Sequence, residues 1–228
     1  MARSACANLR IFGRHLANGL RLRKIDEHSR PDHFRLSGDD ECFFVYEYTS
    51  RQNYSFSATN SLISNLKKKP GSRGYSHKLD AIGRSARPFR DGISPEWLDG
   101  ATLVPVPPSK ARGDPAYDDR MTQVCRAIRG TPPLDVRELV VQRGSLAAAH
   151  ESPSNRPSVE DLLRVYEIDE SLVSPAPRWI GVFDDVLTAG THFVALKTIL
   201  QGRFPGISIS GFFIARRIFP DPFTQSPA

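Results

Sequence analysis

The chain has 228 residues and a mass of 25.4 kDa, which fits either one domain with modest extensions or one large α/β domain. Hydrophobic residues make up 39% and charged residues 25%, which provides a core and excludes a disordered, collagen-like or coiled-coil chain. No apolar run approaches the roughly 18 residues of a membrane span, so no membrane partner is expected. The three cysteines, Cys6, Cys42 and Cys125, lie far apart without a CxxC, which argues against a disulfide scaffold or zinc ribbon and favours the cytoplasm.

Positive charge is concentrated in the first part of the chain. The formal net charge is +6, but residues 1–90 carry 17 Lys and Arg against 8 Asp and Glu, whereas residues 91–228 carry 14 against 17. The densest band, from Lys67 to Arg90, has eight basic residues and one acid. This asymmetry predicts an anionic partner, which by charge alone could be a phosphate-bearing small molecule, nucleic acid bound through residues 1–90 or a membrane surface. For Lys67–Lys69 the alternative is a solvated helix end whose charges suit the helix dipole.

Residues 1–41 are predicted to form a basic N-terminal extension. Residues 1–24 hold six basic residues and no acid. Apolar side chains at helical spacing there predict an amphipathic surface helix that packs on the domain, and docking on a partner protein is the alternative. The stripe consists of Leu9, Phe12, Leu16 and Leu20. Residues 26–40 are polar and predict a loop.

The next segment predicts a strand and two helices. Cys42–Tyr48 is rich in aromatic and β-branched residues, which is typical of a strand. Apolar residues at helical spacing predict a helix over 57–69, ended by Pro70 and Gly71. A second, short helix is predicted over 76–85.

From residue 101 onward strands and helices alternate. Strands are predicted at 102–106, 138–142, 178–183 and 207–215, and helices from a cap at Asp118 or Asp119 to Gly130, at 159–166 and at 191–200. Residues 144–155 are rich in Ser, Ala and Pro and predict a mobile loop. Cys125 lies on the apolar face of its helix, so it is predicted to be a core residue rather than a nucleophile. Apolar strands alternating with helices predict a mostly parallel sheet covered by helices on both faces.

The most informative stretch is 181–192, which reads Gly-Val-Phe-Asp-Asp-Val-Leu-Thr-Ala-Gly-Thr-His. An apolar strand leads into Asp184 and Asp185, followed by a loop of small residues and the start of a helix. Such a loop exposes backbone N–H groups beside the positive end of a helix dipole, which predicts a phosphate-binding site. At least one carboxylate is expected to face sugar hydroxyls or a hydrated Mg²⁺. The alternative is a chance acidic turn before a helix.

This stretch resembles the phosphoribosyl-pyrophosphate (PRPP) signature of the type I phosphoribosyltransferases, which reads roughly Asp-Asp-x-x-Thr-Thr-Gly-x-Thr. The residues that match are Asp184, Asp185, Thr188 and Gly190. Ala189 replaces a threonine and His192 replaces the last hydroxyl residue. The resemblance implies the family's fold, a core of about five mostly parallel strands with helices on both faces and a hood over the site.

A second match lies upstream, where residues 103–110, Leu-Val-Pro-Val-Pro-Pro-Ser-Lys, are predicted to form a strand followed by a short loop that carries a cation. The loop after the first core strand holds the pyrophosphate in the family, which implies this role for Ser109, Lys110 and Arg112. The helix that ends in Asn65-Leu66-Lys67-Lys68 precedes the pyrophosphate strand, as a helix ending in a Leu-Lys segment does in the ComF branch of the family. The likeness is greatest to that branch, although the ComF zinc ribbon is absent. It implies one domain over residues 42–228, with hood elements at about 42–100 and 143–177.

The function that the resemblance implies is Mg²⁺-dependent transfer of phosphoribosyl from PRPP to, or from, an unidentified nitrogenous base. Asp184 and Asp185 would hold the ribose hydroxyls and stabilise positive charge on the ring. The 5′-phosphate would bind the loop formed by Thr188, Ala189, Gly190, Thr191 and His192. Family members are often dimers, which implies a possible homodimer. The alternatives are a catalytically silent module that senses PRPP or a nucleotide, and a nucleic-acid-associated module on the same scaffold.

Overall fold

The computed structural model of the protein describes residue 11 and residues 22–144 and 157–220. The predicted stripe in residues 1–24 lies outside the described residues, as do positions 145–155 of the predicted mobile loop. Cys6 also lies outside them. Cys42 and Cys125 are free and buried, so the prediction of a core role for Cys125 is confirmed.

The described residues form eight strands and six α-helices. The strands are β1 (Arg23–Lys24), β2 (Glu41–Thr49), β3 (Ala101–Pro105), β4 (Asp135–Val136), β5 (Val140–Gln142), β6 (Tyr166–Ile168), β7 (Trp179–Leu187) and β8 (Ile209–Ile218). The helices are α1 (Ala58–Leu66), α2 (His77–Gly92), α3 (Pro95–Gly100), α4 (Arg120–Ile128), α5 (Val159–Val165) and α6 (Thr191–Arg203). Short 3₁₀ turns form at Arg30–His33 and Glu170–Leu172.

In this part of the chain, six strands form a central sheet in the order β1-β2-β8-β7-β3-β4. Every neighbouring pair in it is parallel except β1 with β2. Strands β5 and β6 pair separately as an antiparallel ribbon. The structure therefore confirms an α/β fold with a mostly parallel central sheet.

Side chains of the long strands alternate between two apolar layers. Phe43 and Phe212 point into the layer covered by α1 to α4, and Phe44 and Phe213 point into the layer covered by α5 and α6. In the first layer the Phe183 ring stacks on Phe212 with centroids 4.9 Å apart. Burial on both faces explains why the strand sequences are almost continuously apolar. The predicted helices on both faces of the sheet are thus confirmed.

Several helix boundaries differ from the predicted ones. Helix α2 continues past Ser85 to Gly92 and includes Pro88, because Phe89 is fully buried and meets Phe183 edge-on at 5.3 Å. Helix α3 was not predicted from the sequence, although Ser94 caps it by accepting a hydrogen bond from the Trp97 amide at 3.1 Å. Packing thus extends α2, and a helix cap stabilises α3, outside the segments in which apolar residues recur at helical spacing.

The remaining helix ends also differ in detail. Asp119 precedes α4 without a side-chain capping bond, and this helix ends at Ile128 with Arg129 in an extended conformation, before Gly130. Helix α6 continues through Gly202 to Arg203.

Several strand boundaries also differ from the predicted ones, and β8 spans Ile209–Ile218 rather than 207–215. β7 does not end at Phe183 but includes both aspartates, because β8 continues to pair with it as far as Leu187, opposite Arg216. β5 begins at Val140 rather than at Glu138, whose carboxylate accepts hydrogen bonds from neighbouring side chains.

Residues 42–100, predicted to contribute to a hood, supply most of β2 and the helices α1 to α3 on one face of the sheet. The described part of 143–177 supplies α5 and β6, and α5 packs with α6 on the opposite face. Within the described ranges, none of the helices has the length and apolar character required to span a membrane.

Candidate functional site

A cavity of about 250 Å³ opens at the carboxyl ends of β3 and β7. It lies between the end of α1, the loop after β3, the start of α4 and the loop between β7 and α6. The carboxyl edge of a parallel sheet is where open α/β folds bind ligands. The polar residues that line the cavity are Lys67, Ser109, Asp118, Asp119, Arg120, Thr122, Asp184, Asp185, Thr188 and His192.

The two adjacent aspartates of β7 have different partners. Asp185 is buried, and its Oδ2 accepts hydrogen bonds from Arg120 Nε at 3.0 Å and Nη2 at 2.9 Å. Lys67 Nζ lies 3.2 Å from the same oxygen. Asp184 Oδ1 accepts the amide N–H of Asp185 at 2.7 Å, and no cation of the described residues forms an ion pair with Asp184. One carboxylate is therefore neutralised by protein cations while the other faces the cavity without one.

These surroundings separate the pKa values of the two carboxyls. Burial and the adjacent negative charge of Asp185 raise the pKa of Asp184 to about 7. Burial alone would raise the pKa of Asp185 as well, but the charges of Lys67 and Arg120 outweigh it and hold that pKa below its usual value. Near neutral pH, Asp185 is charged and Asp184 is partly protonated, so Asp184 can both donate and accept hydrogen bonds.

Basic and acidic side chains alternate in a chain of ion pairs that holds Arg120 in place at the cavity wall. Arg120 Nη1 donates to Asp118 Oδ2 at 2.7 Å, and the buried Lys78 donates to Asp118 Oδ1 at 2.6 Å. Lys78 also donates to the carbonyl of Lys68 at 3.1 Å. Sequence reasoning missed both Arg120 and Lys78, because Asp118 was interpreted only as a helix cap. The fixed geometry of this chain orients the Arg120 guanidinium toward Asp185.

The loop between β7 and α6 has the backbone geometry of an anion site. Gly190 has a φ of 93°, in the left-handed region that favours glycine, and α6 begins at the next residue. Within the described part of the chain, no backbone carbonyl accepts a hydrogen bond from the amides of residues 188–192. Unpartnered amides at a helix N-terminus favour an anionic ligand.

His192 is held at the edge of the cavity by Tyr166, whose phenolic oxygen lies 2.8 Å from His192 Nδ1. Burial lowers the pKa of His192, although the charge of Asp185 acts in the opposite direction. Burial, followed by the charge of Asp184, raises the pKa of the Tyr166 phenol. A neutral imidazole and an un-ionised phenol are thus placed beside the loop.

The residues predicted to bind pyrophosphate do not all reach the cavity. Ser109 lines it, but Lys110 and Arg112 do not. Lys110 Nζ lies 4.0 Å from Asp114. Arg112 binds Glu138 at 2.8 Å and Asp169 at 2.7 Å. The structure supplies Lys67 and Arg120 to the cavity as cations instead.

The basic band from Lys67 to Arg90 does not form one continuous patch of unpaired charge. Lys67 and Lys78 pair with the acids of the cavity, Asp185 and Asp118. Arg84 and Arg90 pair with acids of their own helix, Asp80 and Asp91. The part of the band closest to the site therefore contributes to the cavity itself.

Asp184 and Asp185 supply the hard oxygen donors that Mg²⁺ prefers. In the segments that the structure describes, no group of three or more His, Cys, Asp or Glu side chains could enclose a metal ion. Mg²⁺ commonly binds through one or two carboxylates together with substrate phosphates and water. The donor set fits a Mg²⁺ ion that arrives bound to pyrophosphate. Asp184, which has no cationic partner among the described residues, would be the carboxylate available to it.

The cavity combines a carboxyl that can donate or accept hydrogen bonds with two cations, and Thr188 and His192 of the loop line it. Gly190 and Thr191 line a smaller adjoining pocket that shares Asp184 with the cavity, and Ala189 lines neither. This set suits a ligand that carries sugar hydroxyls and more than one phosphate. In comparisons with known proteins, no family model matches the chain and no curated protein matches it.

Proposed function

We propose that the protein binds PRPP with Mg²⁺ in this cavity and transfers the phosphoribosyl group to a nitrogenous base. The observation that carries the proposal is the position of Asp184 and Asp185 at the end of β7, beside the 188–192 loop and on the wall of the same cavity. Together with the resemblance of this stretch to the PRPP signature, that position supports a type I phosphoribosyltransferase-like site.

The polar groups suggest how the ligand would lie. The 5′-phosphate would accept hydrogen bonds from the amides of the 188–192 loop. The ribose hydroxyls would contact Asp184, the carboxyl without a cationic partner. The pyrophosphate would lie toward Lys67, Arg120 and Ser109, on the other side of the cavity.

In the proposed reaction the bond between ribose C1 and the pyrophosphate oxygen breaks. The bonding electrons leave with pyrophosphate, and the lone pair of the base nitrogen forms the new bond on the opposite face of C1. Negative charge accumulates on the leaving group, where Lys67 and Arg120 stabilise it. Mg²⁺ bound to the pyrophosphate would neutralise further charge on that group. The loop would fix the position of C1 by anchoring the 5′-phosphate.

A second candidate is binding of PRPP or a nucleotide without transfer. It is supported by Asp185, whose Oδ2 is already engaged by Arg120 and Lys67. If ligand binding does not displace these cations, Asp185 is not free to contact the ribose. Ala189, in place of a threonine, removes one further hydroxyl donor.

The decisive experiment measures PRPP binding by calorimetry with Mg²⁺, followed by pyrophosphate release in the presence of a panel of nitrogenous bases. Replacing both aspartates, by Asp184→Asn and Asp185→Asn, is expected to abolish release. Asp80→Asn, on the exposed surface of α2, serves as the matched control and is expected to retain full activity.

Unchanged turnover in the doubly substituted protein would refute the assignment of the site. Binding of PRPP by the wild-type protein without release for any base would favour the second candidate. Absence of PRPP binding would refute both.

A further inference from the structure

The 188–192 loop contacts a segment far away in the chain, residues 30–36. The Nδ1 atom of His33, at the end of the 3₁₀ turn, forms a hydrogen bond with the carbonyl oxygen of Thr188. The amide N–H of Arg35 donates to the carbonyl oxygen of Ala189 at 2.9 Å. Two consecutive carbonyl groups of the loop are thus bound by one short segment.

These two bonds fix the direction of the loop amides. In a trans peptide the N–H points opposite to the C=O of the same unit, and the peptides after Thr188 and Ala189 are both trans. Because both carbonyls point toward the 30–36 segment, the amides of Ala189 and Gly190 point away from it. These are two of the amides that have no backbone carbonyl partner within the described residues.

Leu36 holds the same loop through packing. It is buried, and its Cδ2 lies 2.8 Å from the position that a Cβ on Gly190 would occupy. A side chain at position 190 would therefore collide with Leu36 as well as being strained at a φ of 93°. The close contact therefore restricts the loop at Gly190, and the Thr188–Ala189 peptide depends on the His33 hydrogen bond.

His33 is suited to a permanent hydrogen bond of this kind. It is fully buried, and its partner is a carbonyl, which can only accept, so Nδ1 carries the proton. The turn that carries His33 is itself anchored, since Arg217 Nη2 donates to the carbonyl of Asp32 at 3.1 Å. The turn thus connects the end of β8 with the loop after β7.

We propose that His33 is a positioning residue for phosphate binding: by holding the Thr188 carbonyl, it directs the Ala189 amide toward a ligand phosphate, as the Arg35 amide does for Gly190 by holding the Ala189 carbonyl. The inference rests on the proposed function and adds a residue that contacts neither the sugar nor the phosphate. Removal of the His33 hydrogen bond allows the peptide unit to rotate and misdirects one charge-assisted hydrogen bond to the ligand.

The test compares three substitutions at this position. His33→Leu removes the donor, His33→Gln places an amide N–H near the position of Nε2, and His33→Asn places one near that of Nδ1. His28→Leu, two residues before the segment and exposed, is the control. Calorimetry measures the Kd of each variant for ribose 5-phosphate and for inorganic pyrophosphate, and thermal unfolding shows which variants are folded.

We expect His33→Leu and His33→Gln to weaken ribose 5-phosphate binding about tenfold, the effect of losing one well-directed hydrogen bond to a charged group. Their affinity for pyrophosphate should not change, and His33→Asn and His28→Leu should bind both ligands like the wild type. If His33→Leu does not fold, the comparison between the Asn and Gln variants decides.

Equal affinity of His33→Asn and His33→Gln for ribose 5-phosphate, or an equal loss for both ligands, would overturn the positioning role and leave the proposed function intact. If the wild-type protein binds neither ribose 5-phosphate nor PRPP, the proposed function fails and this role fails with it.

Discussion

Arg120 donates two hydrogen bonds to a single carboxylate oxygen of Asp185, from Nε at 3.0 Å and from Nη2 at 2.9 Å. The side chain of Asp185 is 8% exposed and that of Arg120 is 22% exposed, so this pair is well shielded from water. Arg120 is the first residue of α4, and Asp185 lies in β7. The pair therefore ties the start of a helix to the strand that carries both aspartates.

Arg120→Leu is expected to destabilise the protein. It leaves a buried carboxylate with Lys67 as its remaining cation and also removes a partner of Asp118. Breaking a buried ion pair from one side costs about 3–5 kcal/mol of unfolding free energy, and Lys67 should keep the loss near the lower figure. Urea denaturation measures this loss of unfolding free energy. Arg84→Leu, which breaks an exposed pair with Asp80, should change stability by less than about 1 kcal/mol.

Asp184 should make stability depend on pH. Its pKa is raised from the usual 3.8 to about 7 in the folded protein, so the folded state binds the proton more tightly than the unfolded state. This contribution is fully present below about pH 4 and is lost as the pH rises to about 7. Relative to the wild type, Asp184→Asn should therefore become progressively more stable between pH 5 and pH 8. Urea denaturation across this range measures the difference, and a constant difference would contradict the assigned pKa.

Lys67 should affect ligand binding more than stability. Its side chain is 45% exposed, so its pair with Asp185 is worth little to folding, about 1 kcal/mol or less. At the cavity, its charge would contact the pyrophosphate of PRPP. Lys67→Ala is expected to raise the KM for PRPP and the Kd for pyrophosphate about tenfold, which corresponds to the loss of one charge-assisted contact. Lys69→Ala, two residues away and outside the cavity lining, should leave both unchanged.

Gly100 and Gly83 should respond oppositely to alanine. A Cβ on Gly100 would lie 2.2 Å from Cζ2 of Trp179, and this indole is held in place by a hydrogen bond from its Nε1 to the Trp97 carbonyl at 3.0 Å. Gly100→Ala should therefore cost about 1–3 kcal/mol. Gly83 lies within α2 with open space around it, so Gly83→Ala should stabilise the protein by about 0.5–1 kcal/mol. Thermal unfolding of the two variants tests both signs.

The order of elements around the site could be predicted from the sequence, because it is encoded locally. An apolar strand, two acids, a small-residue loop and a helix follow one another within residues 179–203, and the structure contains β7 and α6 there. Alternating apolar strands and helices also indicated a parallel sheet with two covered faces. The predicted helix boundaries were wrong where tertiary packing overrode the local sequence signals. In α2, for example, the burial of Phe89 extends the helix beyond residue 85.

The cations of the cavity could not be chosen from the sequence. Lys110 and Arg112 are close in sequence to the end of β3, which made them the natural candidates. Arg112 is instead bound by Glu138 and Asp169, which approach only in the folded chain. Arg120 reaches Asp185 because α4 packs beside β7, a relationship that no local pattern of residues encodes. Nor did residues 26–40, interpreted as a polar loop, indicate the contact between His33 and Thr188.

The pairing of β2 with β8 has a consequence for the order in which the protein can fold during synthesis. β2 is the first long strand in the described chain, yet its parallel neighbour is the last, with Glu41 beside Ser210. Its other neighbour, β1, has only two residues and pairs with β2 only at Phe43 and Phe44. The backbone of β2 therefore has no long strand to pair with until residues 209–218 leave the ribosome. A nascent chain of this protein is expected to need protection from aggregation until its final strand has been translated.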